Sequence, residues 1–239
     1  RSVPSLRLAL AQANPTVGDL AGNRARARDL AAEAAERGAD IVALPEMFLT
    51  GYPVEDLALR PSFQESSRSA VQGLAEDLRA AGLGDLVVIV GYLDRLDGAA
   101  DQLGRPRGAP VNAAAVLHHG SVVARYCKHH LPNYGVFDEF RYFVPGDSSC
   151  IVRVRDVVVA LAICEDLWQE GGPVADARGA GLLLVINGSP YERNKDDVRL
   201  ELCALRARET GCALAYVNMV GGQDELVFDG DSLVVAADG

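Results

Sequence analysis

The sequence predicts an α/β domain with helices packed outside a sheet. Three observations predict it. Apolar runs with no polar break, at residues 41–44 and 157–163, read as strands covered on both faces, and Leu182 to Asn187 reads as a third buried strand. Segments with helical spacing alternate with such strands in the first and last thirds, while the middle third reads as a β-meander. The 239 residues are 49% apolar and 23% charged, sufficient for one large domain spanning 1–239, with no internal repeat or convincing boundary.

Residues 5–12 alternate as a first strand. In residues 23–37, Ala27, Leu30, Ala31, Ala34 and Ala35 form the i, i+3, i+4, i+7, i+8 stripe of an amphipathic helix, with Asn23 as its N-cap and Gly38 as its stop. The strand 41–44 ends at Pro45-Glu46. A second helix fills 63–81 and stops at Gly82. Strands follow at 86–92, 112–117 and 121–127, and the polar, Gly/Pro-rich stretch 97–110 between the first two is where disorder is expected. Residues 128–149 read as a long ordered loop. Strands 150–154 and 157–163 flank the Arg155-Asp156 turn, and a helix at about 172–180 precedes strand 182–187. Helix 194–210 places Val198, Leu202 and Leu205 on one face and ends at Gly211. Strands 213–218 and 232–236 complete the series. The last is expected to lack a partner, because Asp238-Gly239 is a hairpin signal with nothing after it. With Arg1 in place of an initiator Met, the chain reads as a fragment or excised domain.

Composition removes whole classes of function. A net charge of −10 with no basic stripe argues against nucleic acid, and no apolar run approaches the length of a membrane span. Five scattered cysteines without a C-x-x-C pair fit a reducing cytoplasm. The four histidines, in the adjacent pairs His118-His119 and His129-His130, lack metal-ligand spacing, so no metal site is expected.

Three strand ends carry reactive residue types: Glu46 after 41–44, Lys128 after 121–127 and Cys164 after 157–163. A thiol nucleophile requires a base to take its proton and a cation for the oxyanion created by its attack, and a carboxylate and an ammonium supply both without histidine. Each residue has a plainer reading, as a core cysteine, a solvated loop carboxylate or a surface lysine. Their joint placement after buried runs weighs against all three at once.

The segments LPEMFLTGYP, CKHHLPNYGVFDEFRYFVPGD and ICEDLW resemble the three motifs of the nitrilase (carbon–nitrogen hydrolase) superfamily, in order and over nearly the whole chain. The resemblance implies a four-layer α-β-β-α sandwich, truncated at the C-terminus, with Glu46 as general base, Lys128 as oxyanion partner and Cys164 as nucleophile. The segments LPNYGVFDEFRYFVPGD and VNMVGGQDELVFDGDSLVVAADG narrow it to the glutaminase domains of glutamine-dependent NAD synthetases. That family implies L-glutamine as substrate, a γ-glutamyl thioester on Cys164, and ammonia delivered to a C-terminal synthetase domain. By position Tyr134, Ser189 and Lys195 would hold the α-amino and α-carboxylate groups of glutamine, and Glu139, Glu165 and Trp168 would line the pocket. No Ser-Gly-Gly-x-Asp-Ser pyrophosphate loop occurs in this sequence, so no cofactor is expected here, and ATP and Mg would serve the synthetase half. The resemblance also implies a homo-oligomer.

A stand-alone amidase of the ω-amidase or carbamoylase type is the nearest rival, and the GGQDELVFDG stretch argues against it. A papain-like enzyme would place its histidine downstream of Cys164, where this chain has none. A non-enzymatic interaction domain with a relict site would be free to lose one of Glu46, Lys128 or Cys164.

Overall fold

A computed structural model describes residues 4–98 and 102–239. The first half consists of β1 (Leu8–Leu10), α1 (Leu20–Glu36), β2 (Ile41–Ala43), α2 (Pro61–Ala80), β3 (Val87–Arg95), β4 (Pro110–His118) and β5 (Ser121–Cys127). The second holds β6 (Ile151–Val154), β7 (Val157–Ile163), α3 (Gly172–Asp176), β8 (Leu182–Ile186), α4 (Lys195–Thr210), β9 (Ala213–Val217), β10 (Val220–Gln223), β11 (Leu226–Asp229) and β12 (Leu233–Val235). The strands form two five-stranded mixed sheets, β1-β2-β3-β4-β5 and β12-β9-β8-β7-β6, and a separate hairpin, β10-β11.

Alternation along each strand divides its side chains between two cores. Ile41, Ile89 and Val116 of the first sheet meet Val159, Leu161, Leu184 and Ala215 of the second. On the far faces, Val42, Val88 and Val90 pack on Ala27, Ala31 and Leu74 of α1 and α2, while Ala160, Leu183 and Val185 pack on Val174, Cys203 and Ala207 of α3 and α4. The result is the expected four-layer α-β-β-α sandwich. Because β1-β2-β3 and β7-β8-β9 are parallel, and β5 runs with β3, the carboxyl ends of β2, β5, β7 and β8 come together. Ligand sites in α/β sheets belong at such ends.

Three expectations are corrected, and one element is added. Asp19 caps α1, accepting from Gly22 N at 2.9 Å, and Asn23 lies buried in the first turn, bonded to Thr16 and to Leu49 O. The apolar stripe begins only at Ala27, so the first turn left no periodic signal. The last strand does have a partner, since β12 pairs antiparallel with β9. The hairpin β10-β11 is an element with no counterpart in the sequence reading, because two adjacent glycines (Gly221, Gly222) obscure its alternation. On α4, Val198 and Leu205 face outward and Leu202 is only partly buried, while Arg199, Cys203, Arg206, Ala207 and Thr210 are buried. Arg199 is completely buried, and its two terminal nitrogens donate to Asp229 and to the carbonyls of Ser189 and Pro190, while Nε has no partner among the described residues. Arg206 donates to the carbonyls of Leu167 and Trp168. Arginines held by buried acceptors thus occupy the inward stripe that hydrophobes normally hold.

Of the stretch 97–110, residues 99–101 lie outside the described residues, and 102–109 run without helix or strand. No helix among the described residues is long and apolar enough to cross a membrane.

Candidate active site

The turn that follows β2 carries Glu46, and Met47 after it adopts a left-handed backbone (φ 52°). Gly91 of β3 lies directly beneath. A Cβ there would come within 2.3 Å of Met47 N and 2.5 Å of Pro45 O, so only glycine lets this turn seat on the sheet. Glu46 is fully buried and carries three donors: Lys128 Nζ and Asn112 Nδ2, each 2.8 Å from Oε1, and Gly188 N, 2.7 Å from Oε2. Buried carboxylates survive only when paired and hydrogen-bonded in this way.

Lys128 leaves β5 with its backbone N–H on Asn112 O at 2.9 Å. Its ammonium also reaches Glu139 Oε2 at 3.0 Å, and so lies between two carboxylates in a site where it is 1% exposed. Burial alone would pull the ammonium down, but Glu139 and Glu46 outweigh it and hold Lys128 charged, well above the usual lysine range. Burial beside Glu46 raises the Glu139 carboxyl to about 7, against the opposing effects of Lys128 and of Tyr52, whose hydroxyl donates to Oε1 at 2.7 Å.

Cys164 begins a short 3-10 turn at the end of β7, in the left-handed region (φ 44°). A β-carbon is disfavoured there, at a cost of order 1–3 kcal/mol, and such positions cluster at working sites. The thiol is 7% exposed. Burial and the Glu46 carboxylate push it well above its ordinary range, with Lys128 opposing, so at neutral pH it rests protonated. A protonated nucleophile, a carboxylate and a buried ammonium are one arrangement for removing a proton at the moment of attack.

The residues expected to contact substrate fall into two groups. Glu139 belongs to the charged cluster itself. Ser189 follows Gly188, the donor to Glu46, and is buried, with its hydroxyl oxygen accepting from Arg199 at 3.2 Å. Tyr134 and Lys195 form a rim, paired with buried Glu165 and exposed Glu192 respectively. The Tyr134 hydroxyl donates to Glu165 Oε2 at 2.6 Å, and burial, Glu165 and nearby Glu192 keep the phenol protonated. Lys195 opens α4 with Nζ 3.3 Å from Glu192 Oε1, and among the described residues it makes no bond to the Glu46–Lys128–Cys164 group. Trp168 is half-buried, and its carbonyl is held by Arg206. Among the described residues, no group of three or more His, Cys, Asp or Glu has the arrangement to hold a metal ion.

Sequence reasoning missed Asn112, Tyr52 and Gly188. Asn112 left a signal, a lone amide in the apolar run of β4 that had to find a buried partner. A cleft of about 780 Å³ borders the site through Tyr52 and Glu139 and is walled by residues 135–138 and by the β10-β11 tip, Gln223–Leu226.

The carbon–nitrogen hydrolase family matches residues 7–239. A glutamine-dependent NAD(+) synthetase from Thermotoga maritima is 43% identical over 237 residues, covering 98% of this chain and 39% of the relative. The structure of a glutamine-dependent NAD+ synthetase from Acinetobacter baumannii superposes with a TM-score of 0.87 at 34% identity, covering 98% of this chain and 42% of that one. An amidase from Nesterenkonia sp. superposes with a TM-score of 0.80 at 29% identity, and there the coverage is 98% of this chain and 83% of the amidase. The chain therefore spans about two fifths of the length of the synthetases it resembles. With the family matched along nearly all of its length, this chain belongs to the carbon–nitrogen hydrolases.

Proposed function

We propose that this chain is a glutaminase domain that hydrolyses the side-chain amide of L-glutamine to glutamate and ammonia. In this reading the ammonia supplies a C-terminal synthetase domain that makes NAD from deamido-NAD with ATP and Mg, and residues 1–239 need no cofactor of their own. The observation that carries it is the buried Lys128 ammonium held between Glu46 and Glu139 beside a protonated Cys164 thiol. The long similarity to glutamine-dependent NAD synthetases supports the choice of glutamine. Cytoplasmic placement and assembly into a homo-oligomer go with the same reading.

Glu46 takes the thiol proton as sulfur bonds to the amide carbon, and the carbonyl electron pair moves onto oxygen. Lys128 and the backbone N–H of Glu165 stabilise that oxyanion. When it collapses, the C–N bond breaks, Glu46 returns the proton to the leaving nitrogen, and ammonia departs from a thioester on Cys164. Water, deprotonated by Glu46, then attacks, and glutamate leaves as the thiol is restored. Tyr134, Ser189 and Lys195 take the α-amino and α-carboxylate groups, with Glu139, Glu165 and Trp168 as walls. A stand-alone amidase remains the second reading, favoured by the coverage of the Nesterenkonia amidase.

Treatment with 6-diazo-5-oxo-norleucine, read by mass spectrometry alongside glutamate release, tests the proposal. One adduct on Cys164, absent in Glu46→Ala, is expected. An adduct on another cysteine overturns the triad. Adduct-free protein that hydrolyses simple aliphatic amides but not glutamine would favour the stand-alone amidase.

A further inference from the structure

Asp166 lies two residues beyond Cys164 and has no part in the reaction just described. It is completely buried. Its Oδ2 accepts from Ile163 N at 3.0 Å and from the Tyr126 hydroxyl at 2.5 Å. Its Oδ1 accepts from His130 N at 2.9 Å and His129 N at 3.2 Å. Ile163 directly precedes Cys164, and His129 directly follows Lys128. The two reactive residues arrive from different sheets, Lys128 from the end of β5 and Cys164 from the end of β7, and among the described residues no strand ladder joins those sheets. One carboxylate therefore grips the chain immediately beside each.

We propose that Asp166 is a positioning residue that sets the distance between the Lys128 ammonium and the Cys164 sulfur. This rests on the roles given above to those two residues. Four donors converge on two oxygens, and only a carboxylate can accept them all; an amide in its place would turn its NH₂ toward either Ile163 N–H or the paired peptide N–H groups. The left-handed Cys164 must be held by its surroundings, and the bond from Ile163 N to Asp166 closes the turn around it. The support extends one shell further. Tyr126 gives its proton to Asp166, so His129 Nδ1, 3.0 Å from the same hydroxyl, carries hydrogen and donates. Tyr126, on β5, is thereby locked to the turn after β7. Such outer bonds decide whether reacting groups stay within an ångström of their working geometry, and a misplacement of that size can cost about 10²-fold in rate.

The test is a four-protein cycle: the unaltered chain, Asp166→Asn, Lys128→Gln and the double variant. The readout is the rate of Cys164 alkylation by iodoacetamide, resolved by peptide mass spectrometry, with folding checked by near-UV circular dichroism. Lys128 favours the thiolate, so Lys128→Gln is expected to slow alkylation by about tenfold. Asp166→Asn is expected to slow it comparably, because the ammonium is displaced. The double variant should then be slower than Lys128→Gln by less than about twofold, the signature of residues acting as one unit. A double variant carrying the full product of both losses would overturn the proposal. So would faster alkylation in Asp166→Asn, since removing a nearby negative charge merely makes a thiol more acidic. If Asp166→Asn does not fold, Tyr126→Phe serves, because it keeps the carboxylate and removes one donor. About threefold slower alkylation in folded protein supports the role, and an unchanged rate overturns it. Glutamate release, followed in parallel, tests the glutaminase reading separately; its absence would defeat that reading while the alkylation cycle still decides the role of Asp166.

Discussion

The charged cluster and the rim of the site lie side by side and are built in opposite ways. In the cluster, Glu46, Lys128 and Glu139 are almost wholly buried and bonded to one another and to Asn112, Gly188 and Tyr52. At the rim, Tyr134 is 56% exposed and Lys195 pairs with the exposed Glu192. Inside, charges are hard to desolvate but strongly coupled, so each partner fixes the others. Outside, water competes for every bond, and an exposed pair contributes little. Chemistry that must happen at one geometry is therefore placed in the cluster. Under the proposed function, the rim's share of recognition by Tyr134 and Lys195, which must release its product, sits where bonds break most easily.

Removing a partner from the cluster is the most direct way to break this contrast. Glu46→Gln is expected to lower kcat for glutamate release by about 10²–10⁴-fold, the scale of a lost general base, with the fold retained. Lys128→Ala should lower turnover by about 10²–10³-fold. It strands two buried carboxylates face to face, and breaking such a group costs about 3–5 kcal/mol. Urea denaturation should register that loss at pH 8 and a smaller one at pH 5, where a carboxyl can take a proton. Equal loss at both pH values would mean that the cavity, not the charge, sets the cost.

Glu139 sharpens the comparison through pH. Its carboxyl is raised by burial to about 7, while an unfolded Glu titrates near about 4.3. Between those values the folded chain holds a proton that the unfolded chain has released. The contribution of this group to stability is thus complete below about pH 4.3 and is lost as pH rises toward about 7. Glu139→Gln should flatten the fall in unfolding free energy over roughly that window. Parallel profiles for the variant and the unaltered chain would show that Lys128 keeps Glu139 ionised throughout.

The same division governed what the sequence disclosed. Glu46, Lys128 and Cys164 were legible because each ends an apolar run, and burial leaves a mark in composition. The four layers needed the resemblance as well, since periodicity cannot tell one sheet from two. Asn112 was legible in principle, as a lone amide inside β4. Asp166 was not, because a carboxylate after a reactive cysteine looks the same whether it faces water or four buried donors. On α4 the buried face escapes local reading for a related reason: Arg199 and Arg206 are held by acceptors as far as 30 and 39 residues away along the chain, which no local pattern reveals. The rim residues were named by resemblance alone, and the structure places Lys195 near Glu192 without bringing it to the cluster.

The smallest expected effect is at that rim. Tyr134→Phe removes the hydroxyl that donates to Glu165 at 2.6 Å. Glu165 is buried but Tyr134 is 56% exposed, so the bond contributes at the lower end for a charged acceptor, roughly 1.5 kcal/mol or about 12-fold. In the recognition role the loss appears as a higher KM for glutamine with kcat nearly unchanged, since the bond is present in ground and transition states alike. Glu165 is buried and keeps the Gln169 amide as a donor, so the stability loss should stay on the order of 1 kcal/mol. A fall in kcat at constant KM would instead place Tyr134 among the groups that respond to the oxyanion. The rim would then be an extension of the cluster, and the division between rigid chemistry and adaptable recognition would lie further out, at Glu192 and Lys195.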